Sequence, residues 1–302
     1  MKKILFTLAL LISFSSFGQT AKDYFDSALD KDEANDYYGA IADYSKVIEL
    51  NPNYSGAYLN RGLSKRNLLD YSGAIADYTK AIELNPNRSN IYMFRGYAKQ
   101  QLDDNDGAIA DYTKEIEINP NYFFAYLKRG NAKQNLKDHY GAISDYTKAI
   151  ELNPDADGAY HYRGLSKNNL NDNDGAISDF TKSIELDPND PASYFARGGL
   201  KGKLGDLNGA ISDFTKLIEL DPEKDLGYYI RGLSKEDLKD YYGAIADYTK
   251  AIELNPNASR TYKDRGHSKE KLGDLNGACA DWKKAAELGD TDAAGWVANQ
   301  CN

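Results

Sequence analysis

Cysteine is nearly missing from this sequence: its 302 residues hold two, Cys279 and Cys301, alongside only two methionines, two tryptophans and three histidines. Two cysteines exclude a disulfide-dense small scaffold and a four-thiolate metal site. His139, His161 and His267 stand far apart without ligand spacing, so the sequence gives no metal centre. Positive charge is also short. The 37 Lys and Arg against 46 Asp and Glu leave a net charge of −9, with an isoelectric point near 5.0. A nucleic-acid binder, which must neutralise phosphate with clustered cations, needs the opposite balance. A mean hydropathy of −0.65 excludes a membrane bundle. At 41% hydrophobic and 12% aromatic residues, the chain is too apolar to be disordered.

Long apolar runs are absent too, except one. Residues 1–18, MKKILFTLALLISFSSFG, place Lys2 and Lys3 before an apolar run from Ile4 to Phe14 and end on Ser16-Phe17-Gly18. The run is shorter than the roughly 20 residues a spanning helix needs, and the order of its parts is that of a secretory signal peptide, with cleavage expected after Gly18. No cysteine follows it, which argues against a lipid anchor; the alternative is an uncleaved membrane anchor. The expected product is extracytoplasmic, periplasmic or secreted, and loss of Lys2 and Lys3 takes its charge from −9 to −11.

Prolines are few, eight in all, yet seven of them fall at 52, 86, 120, 154, 188, 222 and 256, each 34 residues after the last. A Gly-Ala pair recurs on the same interval, from Gly39-Ala40 to Gly277-Ala278. The period divides the chain into eight copies: 21–54, 55–88, 89–122, 123–156, 157–190, 191–224, 225–258 and 259–292. Within the second, Ala57, Tyr58, Gly62 and Leu68 share one helical face, and Ala74, Ile75, Tyr78, Ala81 and Ile82 another. Asp70 is placed to cap the second helix, and Asn85-Pro86 stops it. No strand pattern occurs. A lone helix pair of this kind cannot bury its own apolar faces, so the copies must stack.

Tyr58, Gly62, Ala74, Tyr78, Ala81 and Pro86, in a 34-residue helix pair, resemble the tetratricopeptide repeat, and the resemblance covers residues 21–292. It implies an all-α, right-handed superhelical solenoid whose first helices line a concave groove for peptides or protein segments. Gly62 and Ala74 are expected to be small because two helix backbones approach there. Where the family carries an apolar residue and a tyrosine, this chain has Arg61 and Lys65. Asp77 recurs as regularly as that pair, which predicts a structural ion-pair set of Arg61, Lys65 and Asp77. The alternative is that the cation rows bind an anionic partner.

Function is expected at positions that vary between copies. One face reads Phe25, Leu59, Met93, Leu127, His161, Phe195, Tyr229 and Lys263. A turn further on lie Asn67, Gln101, Asn135 and Asn169, beside Gln100, Gln134 and Asn168, an amide-rich row suited to the backbone of an extended peptide. The bland alternative is that these are solvated helix ends. Related domains that clamp a C-terminal carboxylate need a lysine where Leu59, Met93, Leu127 and His161 stand, so that clamp is not expected. The sixth copy has Pro191 at its helix start but Gly199 and Gly202 inside the helix, which fits a flexible joint, a bare strip of groove or a tolerated weakness.

Catalytic patterns fail on inspection. Gly202-Lys203 lacks the leading glycine of a phosphate loop, with Arg197 in its place, and Leu204 follows where Ser or Thr is needed. The GLSK segments at 62, 164 and 232 lack the closing glycine of a nucleophile elbow. At the ends, Ser27-Ala28 replace Arg-Gly, and residues 293–302 resemble a short capping helix carrying Trp296 and Val297, which a Cys279–Cys301 disulfide would pin. The repeated charged positions hold 23 basic and 24 acidic residues, so the acidity lies on the variable surface and favours a basic or neutral partner. The sequence thus reads as an exported, non-catalytic protein- or peptide-binding scaffold without cofactor. The alternative is a carbohydrate- or cell-wall-binding module using groove aromatics.

Overall fold

In the computed structural model, which describes residues 20–301, there are seventeen helices, and an aspartate start and an Asn-Pro or Asp-Pro stop bound the second helix of each of the first seven hairpins; the expected leader at 1–18 lies outside the described residues. Eight hairpins follow one another: α1 (Ala21–Glu33) with α2 (Tyr37–Leu50), α3 (Ser55–Asn67) with α4 (Tyr71–Leu84), α5 (Ile91–Gln101) with α6 (Asn105–Ile118), α7 (Phe123–Asn135) with α8 (His139–Leu152), α9 (Asp157–Asn169) with α10 (Asn173–Leu186), α11 (Pro191–Lys203) with α12 (Leu207–Leu220), α13 (Asp225–Asp237) with α14 (Tyr241–Leu254), and α15 (Ser259–Lys271) with α16 (Leu275–Glu287). A last helix, α17, spans Thr291–Gln300. No strand occurs among the described residues. The chain divides into two compact units, one ending at Pro120 and the other beginning at Asn121. Within each, every helix packs on its neighbours in chain order, so each unit is a one-dimensional stack of hairpins.

The second helices begin identically. Asp70 Oδ1 accepts from the Gly73 N–H at 2.9 Å, and Asp36, Asp104, Asp138, Asp172, Asp206, Asp240 and Asp274 do the same. A Cβ on Gly73 would lie 2.1 Å from the other Asp70 carboxylate oxygen, so glycine stands there to let the cap close. Such a cap is worth about 1 kcal/mol.

Under the hairpins, Ala74, Tyr78, Ala81, Leu59, Ile91 and Ala98 form one buried cluster, and Leu127, Ala142, Tyr146, Ala149 and Ala159 another. Gly62 is small for a different reason from the one the sequence suggested. The Tyr78 ring, not a backbone, fills the place of its side chain, 2.6 Å from where a Cβ would be. Gly96 seats Tyr112 in the same way, Gly130 seats Tyr146, Gly164 seats Phe180, Gly198 seats Phe214 and Gly232 seats Tyr248. A methyl group there forces the ring to move, at about 1–3 kcal/mol.

The repeated charges sit along the seam between the two helices of a hairpin. Arg61 grips Asp77 through Nε at 3.0 Å and Nη2 at 2.6 Å, and Lys65 Nζ lies 2.7 Å from the same carboxylate. Asp77 is 4% exposed, so both cations neutralise a carboxylate that water hardly reaches. The third nitrogen, Nη1, reaches back 3.0 Å to Ser45 Oγ on the preceding hairpin. Arg197 repeats the scheme with Asp213 and Thr181, and Arg231 with Asp247 and Thr215. Removing the carboxylate strands two cations in a half-buried seam, which costs about 3–5 kcal/mol for a pair of this kind. In the first hairpin Ser27 and Lys31 hold Asp43 instead.

Candidate functional site

The varied residues of the first helices do not all lie at one depth. Leu59 and Met93 are each 6% exposed and Leu127 9%, so these three belong to the core rather than to an open face. Phe25 is half-buried between the rings of Tyr44, 5.6 Å away, and Tyr54, 5.1 Å away. His161 and Tyr229 are half-buried, Lys263 is tied to Asp290 and Asp292 at 3.3 Å each, and Phe195 is 45% exposed. The next residue along each helix, absent from the sequence reading, also lines this face. Phe94 packs 6.0 Å from Tyr78, and Tyr162 stacks 6.1 Å from Tyr146.

Part of the amide row has structural work. The buried Tyr112 hydroxyl donates to Gln100 Oε1 at 3.2 Å, and that of Tyr146 to Gln134 Oε1 at 2.7 Å. Tyr44 donates to Asp32 and Tyr248 to Glu236 across the same interval. A tyrosine on the second helix thus demands an acceptor twelve residues earlier on the first. The two hairpins with phenylalanine there, Phe180 and Phe214, are freed from that demand and carry Asn168 and Gly202. The exception is Tyr78. It faces Arg66, which has no acceptor atom, and its fully buried hydroxyl has no partner. Asn67, Gln101, Asn135 and Asn169 are exposed; Asn67 accepts from Arg66 at 3.2 Å, and Asn169 bonds its own helix at Leu165 O.

On α13 and α15 the face is a polar network. Glu236 takes the Tyr248 hydroxyl on one oxygen and lies 2.6 Å from His267 Nδ1 with the other. Tyr229 donates to Asp264 at 3.0 Å. Burial pushes the Asp264 carboxyl above the ordinary aspartate range, and the charge of Glu236 adds to that. Burial and the bond to Glu236 hold the Tyr248 phenol un-ionised far beyond neutral pH.

Between α9, α11 and α13 the same face opens into a cavity of about 450 Å³, walled by Leu165, Phe195, Leu217 and Leu226. Gly199, on the helix that carries Phe195, presents nothing a Cβ would touch, and Gly202 would meet only Ala210, at 3.6 Å. At one side His161 Nδ1 lies 2.8 Å from Ser193 Oγ, which donates to Asp190 at 2.7 Å. Burial holds the His161 imidazole below its usual pKa, against the pull of Asp190 and Asp157, so the ring is neutral at pH 7. Neither the cavity nor the network could be read from one row of residues. The twelve-residue pairing of ring and acceptor was a visible signal for the Tyr248–Glu236 bond of the network alone.

The far end is tied by the Cys279–Cys301 disulfide, with Trp282 packed 5.2 Å from Trp296 and its Nε1 donating to Lys263 O. Among the described residues no three His, Cys, Asp or Glu side chains converge as metal ligands, and no helix is long and apolar enough to cross a membrane. The GLSK serines are built into helices: Ser64 donates to Asp32, Ser234 to Ile230 O, and Ser166 is fully buried.

Family models described as tetratricopeptide repeat match residues 55–88, and 89–122, 125–156, 158–190, 191–224 and 227–258, more than half of the chain. Among solved structures, a tetratricopeptide repeat protein from Parabacteroides merdae is 21% identical, with a TM-score of 0.62 over 83% of this chain and 99% of its own. YrrB, described as a TPR protein with an unusual peptide-binding site, is 23% identical, with a TM-score of 0.54 over 64% of this chain and 97% of its own. MamA is 24% identical, with a TM-score of 0.53 over 59% of this chain and 94% of its own. No curated protein matches the chain. At these identities the likeness extends to the fold alone.

Proposed function

The chain belongs to the tetratricopeptide repeat family, whose members bind protein or peptide partners, and from that premise we propose that it is an exported, non-catalytic scaffold holding an extended protein segment against the first-helix face. The observation that supports this most is the opening between α9, α11 and α13, an apolar cavity of about 450 Å³ with Phe195 exposed in its wall. Monomeric proteins seldom leave such a concave apolar site without use. The peptide-binding site that YrrB is described as having supports the same reading. The acidic balance favours a basic or neutral segment. Carbohydrate binding is the rival, but the most exposed tyrosines, Tyr38, Tyr140 and Tyr242 at 77% each, lie at the starts of second helices rather than on this face.

In-cell crosslinking from a photoreactive residue at Phe195, followed by identification of the adduct, tests the proposal. A protein adduct is expected; adducts to polysaccharide alone would overturn it. Recovery of the protein from the cell envelope with Gln19 at its N-terminus is the expected outcome for export, and recovery from the cytoplasm with Met1 retained is the opposing one.

A further inference from the structure

The cavity between α9, α11 and α13 has one polar wall, and its chemistry narrows what enters. Ser193 Oγ has a single hydrogen, and the Asp190 carboxylate 2.7 Å away takes it. Ser193 therefore meets His161 Nδ1, 2.8 Å away, with a lone pair, and the proton between them belongs to the imidazole. A neutral ring with its proton on Nδ1 leaves Nε2 as an acceptor, and among the described residues no donor bonds it. The other walls are Leu165, Phe195, Leu217 and Leu226. A purely aliphatic occupant would dehydrate Nε2 without replacing its hydrogen bond, an unfavourable exchange. An anion would meet Asp157 and Asp190 beside His161 and Asp221 on the rim, opposed by Lys224 alone.

We propose that the cavity is an anchor subsite for one aromatic side chain bearing its own donor, an indole N–H or a phenol O–H, in a segment with a Lys or Arg next to it. The inference rests on the segment-binding reading above and deepens it. The ring lies against Phe195 and Leu226, its donor bonds His161 Nε2, and the flanking cation meets the rim carboxylate of Asp221. Gly199 lies one helical turn beyond Phe195 on α11, and a side chain there would project into open space, so a large one tests access to the Phe195 ring without disturbing the packing.

The test uses the protein and a series of capped peptides Ala-Lys-X-Lys-Ala with X as Trp, 1-methyl-Trp, Phe or Leu, titrated by calorimetry, together with selection from a random-sequence peptide library. The Trp peptide is expected to bind at least tenfold more tightly than the 1-methyl-Trp, Phe and Leu peptides. Phe195→Ala and Gly199→Leu are each expected to weaken it tenfold or more. Gly199→Leu places its side chain where it touches nothing, so circular dichroism of that variant should match the parent. His161→Gln, which keeps an acceptor, should retain more affinity than His161→Leu, and Asp221→Lys should weaken binding about fivefold.

Equal affinity for Trp and 1-methyl-Trp overturns the donor to His161. Library peptides that bind with no aromatic preference and no response to Phe195→Ala or Gly199→Leu overturn the anchor while leaving segment binding intact. A library from which nothing binds overturns the segment reading itself, and the anchor with it.

Discussion

Two adjoining stretches of the first-helix face, built on the same 34-residue plan, have opposite chemistry. Along α13 and α15 the face is a mesh of Glu236, His267, Tyr229 and Asp264; along α9 and α11 it is an apolar cavity. One part of the difference begins one layer down, with one oxygen atom. Tyr248 brings a hydroxyl that must be satisfied and so requires Glu236, whereas Phe180 and Phe214 bring none and permit Asn168 and even Gly202. A buried donor without an acceptor costs about 1–3 kcal/mol, enough to dictate the residue facing it. The ring chosen for the core therefore constrains the one residue that faces it on the first helix, with Tyr78 as the exception.

That account requires the seam to be indifferent to the face. Asp213→Ala under the cavity and Asp247→Ala under the mesh should each cost about 3–5 kcal/mol, because each strands the same Arg and Lys pair. Urea denaturation of the two variants, followed locally by hydrogen exchange, should give matching losses. A large inequality would mean that face and seam are coupled.

Next in size, Glu236→Leu should cost about 1–3 kcal/mol by orphaning the Tyr248 hydroxyl, and adding Tyr248→Phe should recover most of it. Asn168→Leu beside Phe180 should stay within about 0.5 kcal/mol of the parent. A double-mutant cycle on Glu236 and Tyr248 that shows no interaction energy would break the pairing rule.

The second hairpin offers the converse. Tyr78 has its hydroxyl and lacks its acceptor, so Arg66→Gln should stabilise the chain by about 1 kcal/mol, a gain that disappears in a Tyr78→Phe background. Thermal melts of the four proteins check this.

The smallest effect concerns the mesh and pH. Burial raises the Asp264 carboxyl, so the folded chain holds that proton more tightly than the unfolded chain. As pH rises from the ordinary aspartate value through the raised one, the folded state loses its proton preference and stability falls; above that window the loss is constant. Asp264→Asn should therefore be more stable than the parent at pH 7 and no more stable below the unfolded pKa, in paired urea titrations at pH 3 and pH 7.

The fold was legible because its causes repeat. Asn-Pro stops, Asp70-type caps and the Arg61–Lys65–Asp77 set occur in register along the chain, so one local inference applies many times. The face was less legible because depth decides it. Leu59 and Met93 share a row with Phe195, yet two are core and one is open. Gln100 resembles a peptide-binding amide until the Tyr112 hydroxyl beneath it comes into view. Some turns were opaque as well: Leu69 and Lys137, each with φ of 63°, take the left-handed conformation that Gly205 and Gly273 take elsewhere. Their chemistry gives no warning of it.

Arg197 takes a carboxylate from Asp213 in its own hairpin and a hydroxyl from Thr181 in the one before. Each inner 34-residue period thus carries half of two joints, and what it lacks is supplied by any other inner copy; the first, with Ser27 for the arginine, and the last, with Lys283 for the hydroxyl, do not. A gene segment of that length, duplicated or deleted in frame within the inner copies, is inherited with every joint whole at the scar. An insertion of any other length leaves an arginine reaching for the wrong residue. Descent can therefore lengthen or shorten the array freely, while the side chains that meet a partner diverge copy by copy.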